Sequence, residues 1–296
     1  MKLRLSLCLV SFLCVSSLTY AEDPPNLGLN YGLSYIDNYS SCDAGCQLDS
    51  VDYADDQINQ LDNALQNAGL TKEFKFGRAS VYATDIIEDY YSGSDHIYGD
   101  NVDFYAITTH GNATTFNGNN IFYAAYCKRG SNAYNSSLDW DTDNCRITSN
   151  KLFLGEQTGM PNSLYSTNPG QLRWLVWSSC HSMDNALTTW INTFRYGMDY
   201  MLGYKDNASI GETTDEVLAD FSNNIFIDNK KFESGWFTAN DDWWIDNKAA
   251  TFTCTNCSDT SSSAAQNRLT NYTRFWQKRV MTTSCSIQCS TSYHEG

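Results

Sequence analysis

Two apolar runs of this sequence end in residues that can do chemistry. "DFYAITTHGN", residues 103 to 112, ends in His110-Gly111, and "RWLVWSSCHSM", residues 173 to 183, stops at Cys180 with Ser178 and Ser179 before it and His181 after it. An imidazole and a thiol brought together suit nucleophilic catalysis: the thiolate attacks, and a nearby imidazole and the dipole of a following helix favour it. Gly111 has no side chain, so a substrate carbonyl can approach its backbone N–H, which with the amide of Cys180 would hold an oxyanion. Ser179 and His181 are candidates for supporting roles, although adjacent side chains on an extended segment point apart. A metal site of His110, Cys180 and His181 lacks a recognisable ligand spacing, so no metal or cofactor is expected. Taken singly, His110 also reads as a hydrogen-bonded strand-end histidine and Cys180 as a buried structural thiol.

The cysteine count isolates that thiol. The first 21 residues, "MKLRLSLCLVSFLCVSSLTYA", have a basic start, an apolar stretch and a small-residue end, the pattern of a secretory signal peptide. Cys8 and Cys14 leave with it, and nine cysteines remain. Eight fall into close pairs, Cys42 with Cys46, Cys127 with Cys145, Cys254 with Cys257 and Cys285 with Cys289. In an oxidising compartment these are expected as disulfides, with the last four also able to pair crosswise. Cys180 is left over.

Loss of Lys2 and Arg4 with the leader leaves 17 basic against 34 acidic residues, a net charge of −17. Such an excess argues against nucleic acid, which needs clustered basic residues. No later run approaches the roughly 18 apolar residues of a membrane-spanning helix. An exported or periplasmic protein is expected, with no membrane partner. "DWDTDNCRITSN", residues 139 to 150, begins like a calcium loop but has Asn144 and Asn150 where Gly and Glu belong, and reads as an acidic surface loop. The Asp241-Asp242-Trp243-Trp244 cluster reads as core aromatic residues rather than a ligand groove. N-glycosylation sequons stand at Asn38, Asn112, Asn135, Asn207, Asn256 and Asn271, and a glycan on Asn112 would crowd the site.

Elements able to position His110 and Cys180 follow from periodicity. "NLGLNYGLSYI" (26 to 36) and "FKFGRASVY" (74 to 82) read as strands, and residues 52 to 70 as a helix with Asp52 at its start and Gly69 at its stop. A short helix capped by Thr84 is expected next. The near-continuous runs "VDFYAITTHG", "LRWLVWSSC" and "MDYMLGY" read as strands covered on both faces, as in a parallel sheet. "ALTTWINTFRYG" reads as an amphipathic helix, and "TTDEVLADFSNNIF" as another capped by Thr213 or Thr214. Residues 112 to 170 form an excursion of one or two hairpins tied by Cys127 and Cys145. Residues 271 to 285 are expected as a returning edge strand. The fold class is therefore α/β, a three-layer α/β/α sandwich with a largely parallel sheet: a leader (1–21), one α/β domain (22–252) and a disulfide-rich extension (253–296) packed on it.

An apolar strand ending in His-Gly, followed by one ending in a small residue and Cys, resembles the dyad of the caspase, gingipain, legumain and separase clan of cysteine peptidases. By that resemblance the sheet is caspase-like, "AITTHG" supplies the base His110 and "LVWSSC" the nucleophile Cys180. "WLVWSSC" and "WINTFRYGMDYMLGY" further resemble a mostly bacterial family of domains of unknown function, over roughly Asp103 to Trp236. Met198-Asp199 depart from the Leu-His expected there. The resemblance implies a secreted cysteine endopeptidase acting on protein or peptide through a thioester. The alternatives are a non-catalytic binding or adhesion module on the same fold, and an acyl-transferring or amidase enzyme using the same dyad.

Overall fold

The structure, a computed structural model, describes residues 29–42, 48–87, 93–116, 119–127, 146–149, 171–184, 200–212, 214–228, 230–241, 247–255 and 288–295, with residues 152, 154, 189, 190 and 198. Its centre is a seven-stranded sheet made of β1 (Asn30–Tyr35), β2 (Thr71–Gly77), β3 (Phe104–Thr108), β7 (Trp174–Ser178), β8 (Tyr200–Tyr204), β9 (Lys248–Thr255) and β10 (Gln288–Glu295). The spatial order is β10-β9-β8-β7-β3-β1-β2. The five strands from β2 to β8 run parallel, and β9 and β10 are antiparallel additions at one edge. A second, antiparallel sheet holds β4 (Gly111–Phe116), β5 (Asn119–Ala125) and β6 (Arg146–Thr148), in the order β4-β5-β6.

Both faces of the central sheet are covered, which is why its inner strands are apolar at every position rather than at alternate ones. All five residues of β3, β7 and β8 are buried. Phe104, Ala106, Trp174, Val176, Tyr200 and Leu202 face one layer, made of the helices α1 (Ala54–Asn67), α2 (Val217–Phe226) and α3 (Phe232–Ala239). Ala54, Gln57, Ile58, Leu61 and Leu65 recur three or four residues apart along α1 and supply its buried face. Tyr105, Ile107, Leu175, Trp177 and Met201 face the other layer. Among the described residues that layer consists of the small sheet and irregular segments. Phe122 of β5 packs edge-on against Trp177 at 5.4 Å, and Trp190 stacks on Trp177 at 5.9 Å. Each large side chain fully buried in this way contributes about 1.5–3 kcal/mol relative to exposure.

Helix ends agree with expectation at one terminus and differ at others. Gly69, at φ +83°, closes α1: its N–H donates to Gln66 O and that of Leu70 to Leu65 O, the paired bonds of a left-handed helix stop. The start of α1 is not Asp52 but Tyr53, itself left-handed at φ 64°, with no side-chain cap. Thr84 lies inside a single 3₁₀ turn, Ala83–Asp85; the Asp85 carboxylate accepts from Tyr82 N–H and takes the capping role. Thr214 does not cap α2, which begins after Glu216; its Oγ1 instead accepts from Gly211 N–H at 2.7 Å. Thr213, the leader, the calcium-like loop, residues 271–285 and nearly all of "ALTTWINTFRYG" lie outside the described residues. The edge strand that closes the sheet is β10, C-terminal to the segment expected for it.

The cysteine pairing is corrected. Cys42 bonds to Cys127, 85 residues away, rather than to Cys46, and Cys127 is therefore not joined to Cys145. Sequence proximity misleads because β1 and β5 end at the same edge of the molecule; Cys46 and Cys145 lie outside the described residues. The register of β9 and β10 places Cys254 opposite Cys289 along the backbone. No helix among the described residues is long and apolar enough to cross a membrane.

Candidate active site

The parallel register of β3 and β7 decides what the two strand ends can do. Phe104 pairs with Trp174 and each later pair keeps the same offset, up to Thr108 with Ser178. Thr109 N–H still reaches Ser178 O at 3.4 Å, so His110 and Cys180, each two residues past its strand, leave the sheet side by side. Their backbones touch: a Cβ added to Gly111 would stand 2.7 Å from Cys180 O and 2.7 Å from the Phe122 ring. Gly111 is thus required for the close passage of the two chains. Reactive groups collect at such carboxyl ends, where loops leave the sheet.

His110 sits where the chain passes from the central sheet into β4. Its N–H donates to the Tyr39 hydroxyl at 3.1 Å; that hydroxyl donates to Thr109 Oγ1 at 2.6 Å, which donates to Ala125 O at 2.6 Å. Tyr39 also stacks on the imidazole, ring centres 5.5 Å apart. Burial pushes the Tyr39 phenol up to about 12 and outweighs its hydrogen bonds with Thr109 and His110, so it remains a donor at neutral pH. The His110 Nε2 lies 3.0 Å from Asp49 O. A carbonyl can only accept, so the proton is on Nε2 and Nδ1 carries the free lone pair.

Cys180 is the free cysteine among the described residues and is partly buried. Its Sγ accepts from Ala208 N–H at 3.3 Å and donates to Ala208 O at 3.8 Å. The two side chains accordingly lean to opposite flanks, the imidazole toward the loop after β1 and the thiol toward the loop after β8, and no hydrogen bond joins them. Sequence places the two backbones together; it does not foresee this divergence.

Beneath the pair, Gln57 of α1 is almost fully buried, and its Oε1 accepts from Thr108 Oγ1 at 2.8 Å and from Ser178 Oγ at 2.7 Å. One side chain thereby ties the last residues of both strands. The Tyr204 hydroxyl also bonds Ser178, and burial raises its pKa, with Cys180 adding to the rise. Ser179 is buried, and its hydroxyl has no hydrogen-bond partner among the described residues. His181 takes a left-handed φ of 57°, an uncommon conformation for a side chain of its size, and its Nδ1 lies 2.9 Å from Asp184 Oδ2. Asn112 is exposed beside the site, as is Asn207.

Sequence reasoning misses Tyr39, Asp49, Gln57 and Ala208. Only Gln57 carries a local signal, a polar residue at a core-facing helical position. Residues 34–290 match the family described as "Domain of unknown function (DUF6345)". No curated protein matches the chain.

Proposed function

For a chain that belongs to the DUF6345 family, whose description assigns no activity, we propose an exported cysteine endopeptidase of caspase-like architecture with Cys180 as nucleophile and His110 as general acid and base. The observation that carries this reading is the shared register: a free thiol and an imidazole stand two residues beyond adjacent parallel strands. The sheet order supports it, with the pair on the two central parallel strands and the antiparallel strand β9 following β8.

In the proposed reaction the scissile carbonyl enters between the two flanks. The thiol proton passes to His110 Nδ1, directly or through a water, and the thiolate attacks the carbonyl carbon. The amides of Gly111 and Cys180 receive the oxyanion. In support, Ala125 N–H already donates to His110 O at 2.9 Å, and the alternation of an antiparallel ladder then turns the Gly111 N–H away from β5. Nδ1–H protonates the leaving amine as the C–N bond breaks. Water, deprotonated by Nδ1, hydrolyses the thioester and releases the thiol. Asp49 O holds the imidazole in the tautomer this needs, and free-state separation of such a pair does not bar it, because catalytic contacts commonly tighten only with substrate bound.

One observation favours a second reading, a secreted binding or adhesion module. Each group is already satisfied by backbone, His110 by Asp49 O and Cys180 by Ala208. A peptide carrying a thiol-reactive electrophile separates the two. The peptidase reading expects selective labelling of Cys180 that His110→Ala abolishes. Cys180 that stays unlabelled in folded protein, or is labelled equally in His110→Ala, overturns it.

A further inference from the structure

The turn after β7 and the loop after β8 carry a second cluster that the proposed reaction does not use. One donor atom from each of His181, Asp184 and Asp206 lies within 4.8 Å of the other two. We propose that these residues bind a divalent cation of the zinc or manganese type, which fastens the exit of β7 to the exit of β8 beside the thiol.

The three donors converge closely enough that small side-chain shifts bring them onto one ion. His181 Nδ1 and Asp184 Oδ2 are 2.9 Å apart, near the ~3 Å edge of an octahedral shell with bonds of about 2.1 Å and a few tenths of an ångström short of the ~3.4 Å edge of a tetrahedral one. Lys248 Nζ sits 3.0 Å from Asp206 Oδ2, a contact that an ion on Asp206 has to share or displace. All three residues are partly exposed, which leaves an ion a route in. One imidazole with two carboxylates selects zinc or manganese over calcium, which prefers all-oxygen shells. An ion on Nδ1 takes the place of the bond to Asp184 and leaves the ring proton on Nε2, so the imidazole binds as its neutral tautomer.

The cluster is wired to the thiol through backbone. His181 N–H donates to Asp206 O at 2.8 Å, and Ala208, two residues further on, supplies the N–H that holds Cys180 Sγ. An ion joining residues 181, 184 and 206 fixes the segment that carries this donor. The regulatory meaning of that link rests on the peptidase reading; the ion site does not.

Titration of the full exported chain, freed of metal, with Zn²⁺, Mn²⁺ or Ca²⁺ by calorimetry and thermal denaturation tests the site. The expected result is one ion per chain, tighter for Zn²⁺ and Mn²⁺ than for Ca²⁺, with a Tm rise on the order of 5 °C at saturation. Both effects are expected to vanish in Asp184→Asn and Asp206→Asn and to persist in Cys180→Ala. Should one aspartate variant not fold, the other and His181→Asn, which tolerates a left-handed backbone, give the same reading. Binding unchanged in folded Asp184→Asn, or lost in Cys180→Ala, overturns the site, as does no binding at all. Ion binding that persists in Cys180→Ala stands even if Cys180 never reacts, whereas reactive Cys180 without ion binding sinks the site and leaves the peptidase reading intact.

Discussion

At the scale of single residues, the orientation of His110 depends on a phenol from a distant loop. The relay from His110 N–H through Tyr39 and Thr109 to Ala125 O anchors the backbone that carries the imidazole, and the Tyr39 ring stacks on that imidazole. Tyr39→Phe keeps the ring but leaves the part-buried His110 N–H without its acceptor and takes from Thr109 Oγ1 the bond it accepts, a loss of about 1–3 kcal/mol by thermal denaturation. On the peptidase reading, the same variant labels Cys180 on the order of ten to a hundred times more slowly, since small misplacements of a reacting group are costly. Gly111→Ala meets Cys180 O and Phe122 at 2.7 Å and drives the two strand exits apart, for an expected loss of about 1–3 kcal/mol. His110, Gly111 and Cys180 are legible in the sequence because each follows an apolar run whose end marks a strand end. Tyr39 and Asp49 are not, since they arrive from the loop after a different strand and no local pattern predicts their contact.

At the scale of elements, polar side chains on buried faces set how the helices and strands meet. Gln57 interrupts the apolar stripe of α1, and its two accepted bonds clamp the ends of β3 and β7. Gln57→Met keeps the volume but leaves the buried Thr108 hydroxyl without its acceptor and Ser178 with Tyr204 alone, so it is expected to cost about 2 kcal/mol and to speed amide exchange at the ends of β3 and β7. On the same helix, burial alone would raise the Asp62 pKa, but the Tyr31 hydroxyl and the ammoniums of Lys72 and Lys75 outweigh it and hold Asp62 down at about 2. A depressed folded-state pKa contributes stability that is present above the unfolded value of about 3.9 and is lost as pH falls through about 2. Urea denaturation between these pH values is therefore expected to show a shallower acid loss in Asp62→Asn than in the unaltered protein. Strand positions are largely legible, since β3, β7 and β8 are apolar throughout. Helix starts are not, because Asp52, Thr84 and Thr214 are all plausible caps and the folded backbone starts each element at another residue.

At the scale of the whole molecule, the Cys42–Cys127 bond joins the loop after β1 to the end of β5 and so couples the central sheet to the small one. His110 lies at the junction of those two sheets, and Tyr39, its stacking partner, is three residues from Cys42. The bond closes a long loop, which in the chain-entropy view restricts the unfolded chain most, and a disulfide typically contributes about 2–4 kcal/mol. The double variant Cys42→Ala/Cys127→Ala is thus expected to melt on the order of 10 °C lower. The small sheet is expected to loosen first, because β4–β6 are then held by the packing of Phe122 against Trp177 and Trp190 and by a few hydrogen bonds at Ala125 and Cys127. Peptide mapping without reduction checks the premise directly: a fragment linking Cys42 to Cys127 is expected, and a Cys42–Cys46 fragment would remove the tie. If the mapped bond is present and the double variant labels Cys180 as fast as the unaltered protein, the small sheet is a cover and not a support for His110. Slower labelling at a temperature where both proteins are folded would make the inter-sheet bond part of what positions the imidazole.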